Sequence, residues 1–189
     1  TITYALGGTD AASFNLNSSS GVLTFKTAPD YETDQRNYTI TVTSSDGINT
    51  SDQTITVTIE DVNDNAPVFT SSATVTIEEN KTAVTTLATT DADTNPTVTY
   101  SITAGADASS FAVNQASGAL TFKDKPDFES PADANTDNIY NVTVTATDND
   151  GFNKTTQDIT VTIKDTNDNR PIITSPNVFT VDENQLSVG

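Results

Sequence analysis

The chain has 189 residues, a net charge of −18 and a pI near 4.1, and it contains no cysteine, methionine, tryptophan or histidine. Disulfides, thiolate or imidazole metal sites, thiol nucleophiles and imidazole bases are therefore excluded. With only 8 lysines and arginines, so is the basic surface that nucleic acid needs. No run approaches the roughly 18 apolar residues of a membrane helix, and no signal peptide is visible.

Taken in chain order, the elements repeat. The segment YALGGTDAASFNLNSSSGVLTFKTAPDYE (4–32) lines up with YSITAGADASSFAVNQASGALTFKDKPDFE (100–129) after one single-residue gap. YTITVTSSDG (38–47) matches YNVTVTATDNDG (140–151), beyond an insertion in the second copy. TITVTIEDVNDN (54–65) matches DITVTIKDTNDN (158–169) at a spacing of 104, and the tail VFTVDENQLSVG (178–189) matches TVTIEENKTAVT (74–85). A first unit without its opening (1–65), a complete second unit (66–169) and the opening strand of a third (170–189) are expected. Ile55, Val57 and Ile59 alternate with Thr54, Thr56 and Thr58, and Val98, Tyr100, Ile102 and Tyr140, Val142, Val144 alternate likewise. Period two with β-branched residues indicates half-buried strands. Short strands between Gly, Asn and Asp turns, in units of about 100 residues, predict an all-β protein of tandem immunoglobulin-like sandwiches, with threonine-rich faces toward solvent.

The acids fall at strand ends and loops: Asp30 and Glu32, Asp61 and Asp64, Glu79, Asp91 and Asp93, Asp127 and Glu129, Asp148, Asp165 and Asp168. Acids spaced by one residue outside a strand bring like charges into a small volume, which a divalent cation relieves. DVNDN (61–65) and DTNDN (165–169) offer carboxylate, amide and carbonyl oxygens, the hard donors that Ca2+ takes in sets of about 6–8. Magnesium keeps more of its water, and softer metals want His or Cys, so calcium is the expected ion. DADTNP (91–96) opens like an EF-hand loop, but Pro96 stands where that loop needs glycine and strands flank it. Asp127 with Glu129 could serve a glycosidase, yet both are wanted as ligands, and no enzyme is expected. Asp46 reads as a solvated turn. NYT (37–39) and NKT (80–82) are glycosylation triplets that arise by composition.

The series xEN, DAD, PD(F/Y)E, ATD and DxNDN(A/R)P, in this order over nearly the whole chain, resembles cadherin repeats. Poverty in Lys and Arg, with richness in Thr, Asn and Asp, points to bacterial-type repeats of a large surface protein. The resemblance implies seven-stranded Greek-key sandwiches strung end to end, with up to three calcium ions in each linker. For the first junction it implies Asp30, Glu32, Asp61, the Val62 carbonyl, Asn63, Asp64, the Asn65 carbonyl, Asp91, Asp93 and Asp148. Seven of these are carboxylates, against a charge of about six from three ions. For the second junction it implies Glu79, Asp127, Glu129, Asp165, Asn167 and Asp168. The glutamate that Glu79 and Glu183 supply to later units has no counterpart in the first. Pro67 suits the point where linker gives way to strand. The family further implies an extracellular, cell-surface or secreted spacer or adhesion module, stiffened by calcium and associating with other cadherin-like repeats. A calcium-dependent polysaccharide-binding module is the alternative function. The open first unit is read as the result of a cut through a longer array, with pairing to the tail of another chain as the lesser alternative.

Overall fold

A computed structural model describes residues 1–94, 96–149 and 151–185. The strands are β1 (Thr3–Gly7), β2 (Phe14–Leu16), β3 (Leu23–Phe25), β4 (Asn37–Ser45), β5 (Thr50–Thr58), β6 (Val68–Phe69), β7 (Thr74–Glu78), β8 (Ala83–Thr86), β9 (Thr89–Thr90), β10 (Thr99–Ala104), β11 (Phe111–Val113), β12 (Ala119–Phe122), β13 (Ile139–Thr147) and β14 (Lys154–Lys164). The protein is all-β, as its period-two alternation predicts. Two single 3-10 turns, Ala11–Ser13 and Ala108–Ser110, are the helical exceptions that no periodicity announced.

Strands pair in two separate sets. One holds β1-β4-β5 and β2-β3; the other holds β10-β13-β14-β7, β11-β12-β8 and β6-β9. In the long hairpins Ile40 faces Ile55 and Tyr38 faces Val57, just as Val142 faces Ile159 and Tyr140 faces Val161. Registers that pair apolar with apolar keep one face of each sheet inward. Both cores are built on the same aromatic trio. Phe14 and Phe25 lie 4.3 Å apart with Tyr38 edge-on, and Phe111 and Phe122 lie 4.4 Å apart with Tyr140 edge-on. Edge-to-face packing of this kind adds about 1 kcal/mol per pair to simple burial.

The second core is the larger because β7 lies parallel along β14, matching Val75 to Val161 and Ile77 to Ile163. Behind it Ile159, Val161 and Ile163 are buried, whereas their counterparts Ile55, Val57 and Ile59 stay half-buried, with no strand beyond β5 among the described residues. Glycine is required where the chain turns against β13: Gly105 has φ +114, and a Cβ there would meet the Asn141 carbonyl oxygen at 2.5 Å. Residues 170–185 form no strand and lie exposed. Their counterparts in β7 are held by a ladder to β14, which this segment lacks. The remainder of the expected third opening strand, 186–189, lies outside the described residues, as does Asn95 of the EF-hand-like DADTN.

Candidate metal centre

The acidic segments converge at strand ends. Pro67, buried, ends the linker immediately before β6, so that residues 61–65 lie between β5 and the second set of strands. The loop after β9 carries Asp91 and Asp93, and the β13–β14 hairpin turn begins at Asp148. Carboxylate oxygens of Asp91, Asp93 and Asp148 all lie within 4.8 Å of one another, and those of Glu32, Asp64 and Asp93 do the same. The second group takes one acid from the first strand set, one from the linker and one from the second set.

Hydrogen bonds fix several of these groups but leave oxygens over. Asp93, 5% exposed, accepts from the Asn65 amide N–H at 3.0 Å and from Asn65 Nδ2 at 2.9 Å. Asp91 Oδ1 accepts from the Asp93 N–H at 3.2 Å, an Asx turn that sets the D-x-D spacing. Asp61 Oδ2 accepts from the Thr94 N–H at 2.7 Å and from the Thr94 hydroxyl. Asp30 Oδ1 accepts from the Glu32 N–H at 3.0 Å. Among the described residues, eight buried side-chain oxygens have no hydrogen-bond partner, and five belong to Glu32, Asp61, Asn63, Asp91 and Asp148. A buried acceptor without a donor costs about 1–3 kcal/mol, more if charged, and a cation would offset that cost. Hard oxygen donors, with carboxylates predominating and no nitrogen or sulfur ligands, fit calcium.

The electrostatics agree. Desolvation, and then the facing Asp30 and Asp61, push the Glu32 carboxyl up. Donation from Thr94 holds Asp61 below the usual carboxylate range, and donation from the Thr33 hydroxyl and the Glu32 amide does so for Asp30.

The second acidic group is built on Glu79, 2% exposed at the end of β7. Its Oε2 accepts from the Phe128 N–H and its Oε1 from the Thr166 N–H, both at 2.8 Å. Asp127 Oδ1 accepts from the Glu129 and Ser130 amides at 3.1 Å, repeating the turn at Asp30. Oxygens of Glu79, Asp127 and Glu129 fall within 4.8 Å. Asp165, Asn167 and Asp168 are exposed; the Thr166 amide between the first two bonds Glu79, and Asp168 accepts from Asn80 Nδ2 at 2.7 Å. The Val62 side chain is 69% exposed, as suits a residue wanted only for its carbonyl. Asp46 caps its own hairpin turn through the Ile48 and Asn49 amides.

Sequence reasoning missed what pins the linker. Asn63 Nδ2 donates to Asn149 Oδ1 at 2.9 Å, and Asn153 Nδ2 donates to the Asn63 carbonyl at 3.0 Å. In a chain so rich in asparagine, these two carried no distinguishing signal. Together with Thr94 to Asp61 and Asn65 to Asp93, they anchor the linker to the second strand set without any ion. Asn149→Ala removes one of these anchors and is expected to speed hydrogen exchange of the 61–65 amides in chelator by about tenfold, since a hydrogen bond contributes roughly 0.5–1.5 kcal/mol. Unchanged exchange would show that the linker is held by other means.

Comparison with known proteins agrees with the geometry. The profile described as Cadherin domain matches residues 73–164. Protocadherin Fat 1 of Homo sapiens is 34% identical over 181 residues, which is 90% of this chain and 4% of that protein. Protein dachsous of Drosophila melanogaster is 32% identical over 183 residues, 90% of this chain and 5% of its own length. Among solved structures, the protocadherin gammaB7 EC3-6 fragment superposes with a TM-score of 0.73 at 29% identity, covering 94% of this chain and 45% of that one. Human protocadherin-24 EC1-2 shares the fold at a TM-score of 0.71 and 24% identity, covering 87% and 82%. On its profile match, its relatives and its strand order, the chain belongs to the cadherin repeat family.

Proposed function

We propose that this chain is an extracellular adhesion or spacer module whose repeats, 1–65 and 66–169 with the start of a third at 170–189, are locked in line by calcium. The observation that supports it most is the group of Glu32, Asp64 and Asp93, drawn from both strand sets and the linker between them. Asp30, Glu32, Asp61, Asp64, Asp91, Asp93 and Asp148, with the carbonyls of Val62 and Asn65 and the amide of Asn63, would hold the ions of the first junction. Glu79, Asp127, Glu129, Asp165, Asn167 and Asp168 would supply this chain's share of the second. Bound there, calcium supplies the positive charge that seven mutually repelling carboxylates need.

Because the linker is already pinned to the second set, Asp30 and Glu32 are the groups that must come to it. Without an ion their repulsion from Asp61 and Asp64 favours a bent or swinging arrangement; with one, the two strand sets share ligands and a single orientation is favoured. The partners proposed are other cadherin-like repeats, as in the family, and no catalytic role is assigned to the carboxylates.

Small-angle scattering with calcium and with chelator tests the stiffening. The maximum dimension is expected to be reached, with a narrowed distribution, only in calcium, and Asp64→Asn should abolish that difference. Identical profiles in both media would overturn the proposal.

A further inference from the structure

In both copies of the PD(Y/F)E loop, one side chain grips the carbonyl that lies between the two acids. Arg36 Nε donates to the Tyr31 carbonyl at 3.3 Å, between Asp30 and Glu32. Asn138 Nδ2 donates to the Phe128 carbonyl at 2.9 Å, between Asp127 and Glu129. The same two residues also share a backbone role. The Arg36 carbonyl accepts from the Ile59 N–H at 2.8 Å, and the Asn138 carbonyl accepts from the Ile163 N–H at 2.9 Å. Ile59 and Ile163 each stand two residues before the aspartate that opens D-x-N-D-N. One residue therefore ties the acidic loop to the root of the linker, in each repeat by the same two bonds.

The chemistry at the two places differs. Asn138 is neutral. Arg36 carries a permanent charge, and its guanidinium carbon sits 4.1 Å from the centre of the Tyr31 ring, the residue between Asp30 and Glu32. A fixed cation beside the junction relieves carboxylate repulsion when no metal is bound, and the same charge opposes an arriving divalent ion.

We propose that Arg36 is a positioning residue of the first junction, holding Asp30 and Glu32 toward the linker through the Tyr31 carbonyl while its charge weakens calcium binding there. The inference rests on the calcium function proposed above. Its two parts separate by substitution. Arg36→Asn keeps a donor of the kind Asn138 uses and removes the charge; Arg36→Ala removes both. They also separate by salt, because the charge effect is screened over a Debye length of about 8 Å at physiological ionic strength, whereas a hydrogen bond is not.

The test is a calcium titration of the full chain followed residue by residue through amide NMR shifts, at low salt and at high salt. Amides 61–65 report the first junction, and amides 165–168 serve as the internal control. Arg36→Asn is expected to tighten binding at 61–65 by about threefold at low salt and by less at high salt, with 165–168 unchanged. Arg36→Ala should bind about threefold more weakly than Arg36→Asn at both salts, the loss expected for one side-chain hydrogen bond. In chelator the Glu32 amide should exchange faster in Arg36→Ala than in Arg36→Asn. One common affinity for all three proteins at both salts would overturn the proposal. A wild-type chain that shows no calcium-dependent shift would sink the calcium function instead, and the exchange comparison in chelator would still decide the positioning role.

Discussion

Chelation of calcium is expected to lower the melting temperature of the chain by about 10–20 °C relative to a solution in which calcium exceeds its dissociation constant about a hundredfold. An ion that binds only the folded state contributes roughly 2.7 kcal/mol at that excess, and each kcal/mol moves the midpoint of a domain this size by about 4–8 °C. Extracellular calcium modules bind at about 10⁻⁴–10⁻³ M, so about 10–100 mM calcium is the range in which to look. The sharper form of the experiment uses Asp148→Asn. Asp148 is 3% exposed; Oδ1 accepts from the Asn149 N–H at 2.6 Å, while Oδ2 is buried without a donor beside Asp91 and Asp93. Asparagine preserves the Oδ1 bond and places an N–H donor where the orphaned oxygen stood. In chelator this removes a buried charge from among like charges and should raise the midpoint, by about 1 kcal/mol in free energy. In calcium it removes a ligand and should lower the midpoint below wild type. A change of sign between the two media is the signature of a cation site. A substitution that destabilises equally in both would mean that Asp148 is structural and that the junction is held by something other than an ion.

How far the sequence reached depends on whether a feature has a period. Strand alternation is periodic, so the inward side of Ile55, Val57, Ile59 and of Tyr140, Val142, Val144 is legible, and the structure packs all six into the two cores. The acids were legible because they recur: PDYE and PDFE, DVNDN and DTNDN. What recurs in type need not gather in space. Glu32, Asp64 and Asp93 meet within 4.8 Å, as do Glu79, Asp127 and Glu129, and neither of these close-set groups includes Asp165 or Asp168. The asparagine anchors were illegible for another reason. Asn149 lies in an insertion, and Asn63 and Asn153, although they recur as Asn167 and Asn49, act here through contacts between residues 86 and 90 positions apart. Asp107 and Asp133 were missed too. Both are buried within or beside the inserted loop, and Asp107 accepts from the Ala134 and Asn141 amides and so braces the fold internally. Burial draws the Asp133 carboxyl up, but the amides of Asp137 and Asn138 outweigh it and hold the group below its ordinary range.

Glu79→Ala is expected to cost about 2–5 kcal/mol, and to cost it in chelator as well as in calcium. Glu79 stands where two requirements meet. Its carboxylate is almost fully buried at the end of β7, and each oxygen accepts one backbone N–H, from Phe128 in the acidic loop and from Thr166 just beyond β14. Removing it leaves two partly buried donors without their acceptor, each costing up to about 1–3 kcal/mol when left unmet. It also removes the one side chain that bonds both the acidic loop and the end of β14 among the described hydrogen bonds, leaving the β7–β14 ladder and the Asn138 bonds to hold the three segments. Glu79→Gln keeps one acceptor and turns an N–H toward the other donor, so about half of that loss is expected. The glutamine variant also isolates the second role. Glu79 shares its surroundings with Asp127 and Glu129, and removal of its charge should relieve their repulsion while depriving an ion of a ligand. Amide shifts at 127–130 should then lose their calcium response in Glu79→Gln, while those at 91–94 retain theirs. Melting in chelator that matches wild type for the alanine variant would show that the Phe128 and Thr166 amides find water instead, and that Glu79 serves the metal alone. Loss of stability with an intact calcium response at 127–130 would make it a buried strut and nothing more. A residue answering to both tests would tie the fold of one repeat to the junction with the next, so that the strand which completes the sandwich also carries the ligand that joins it to its neighbour.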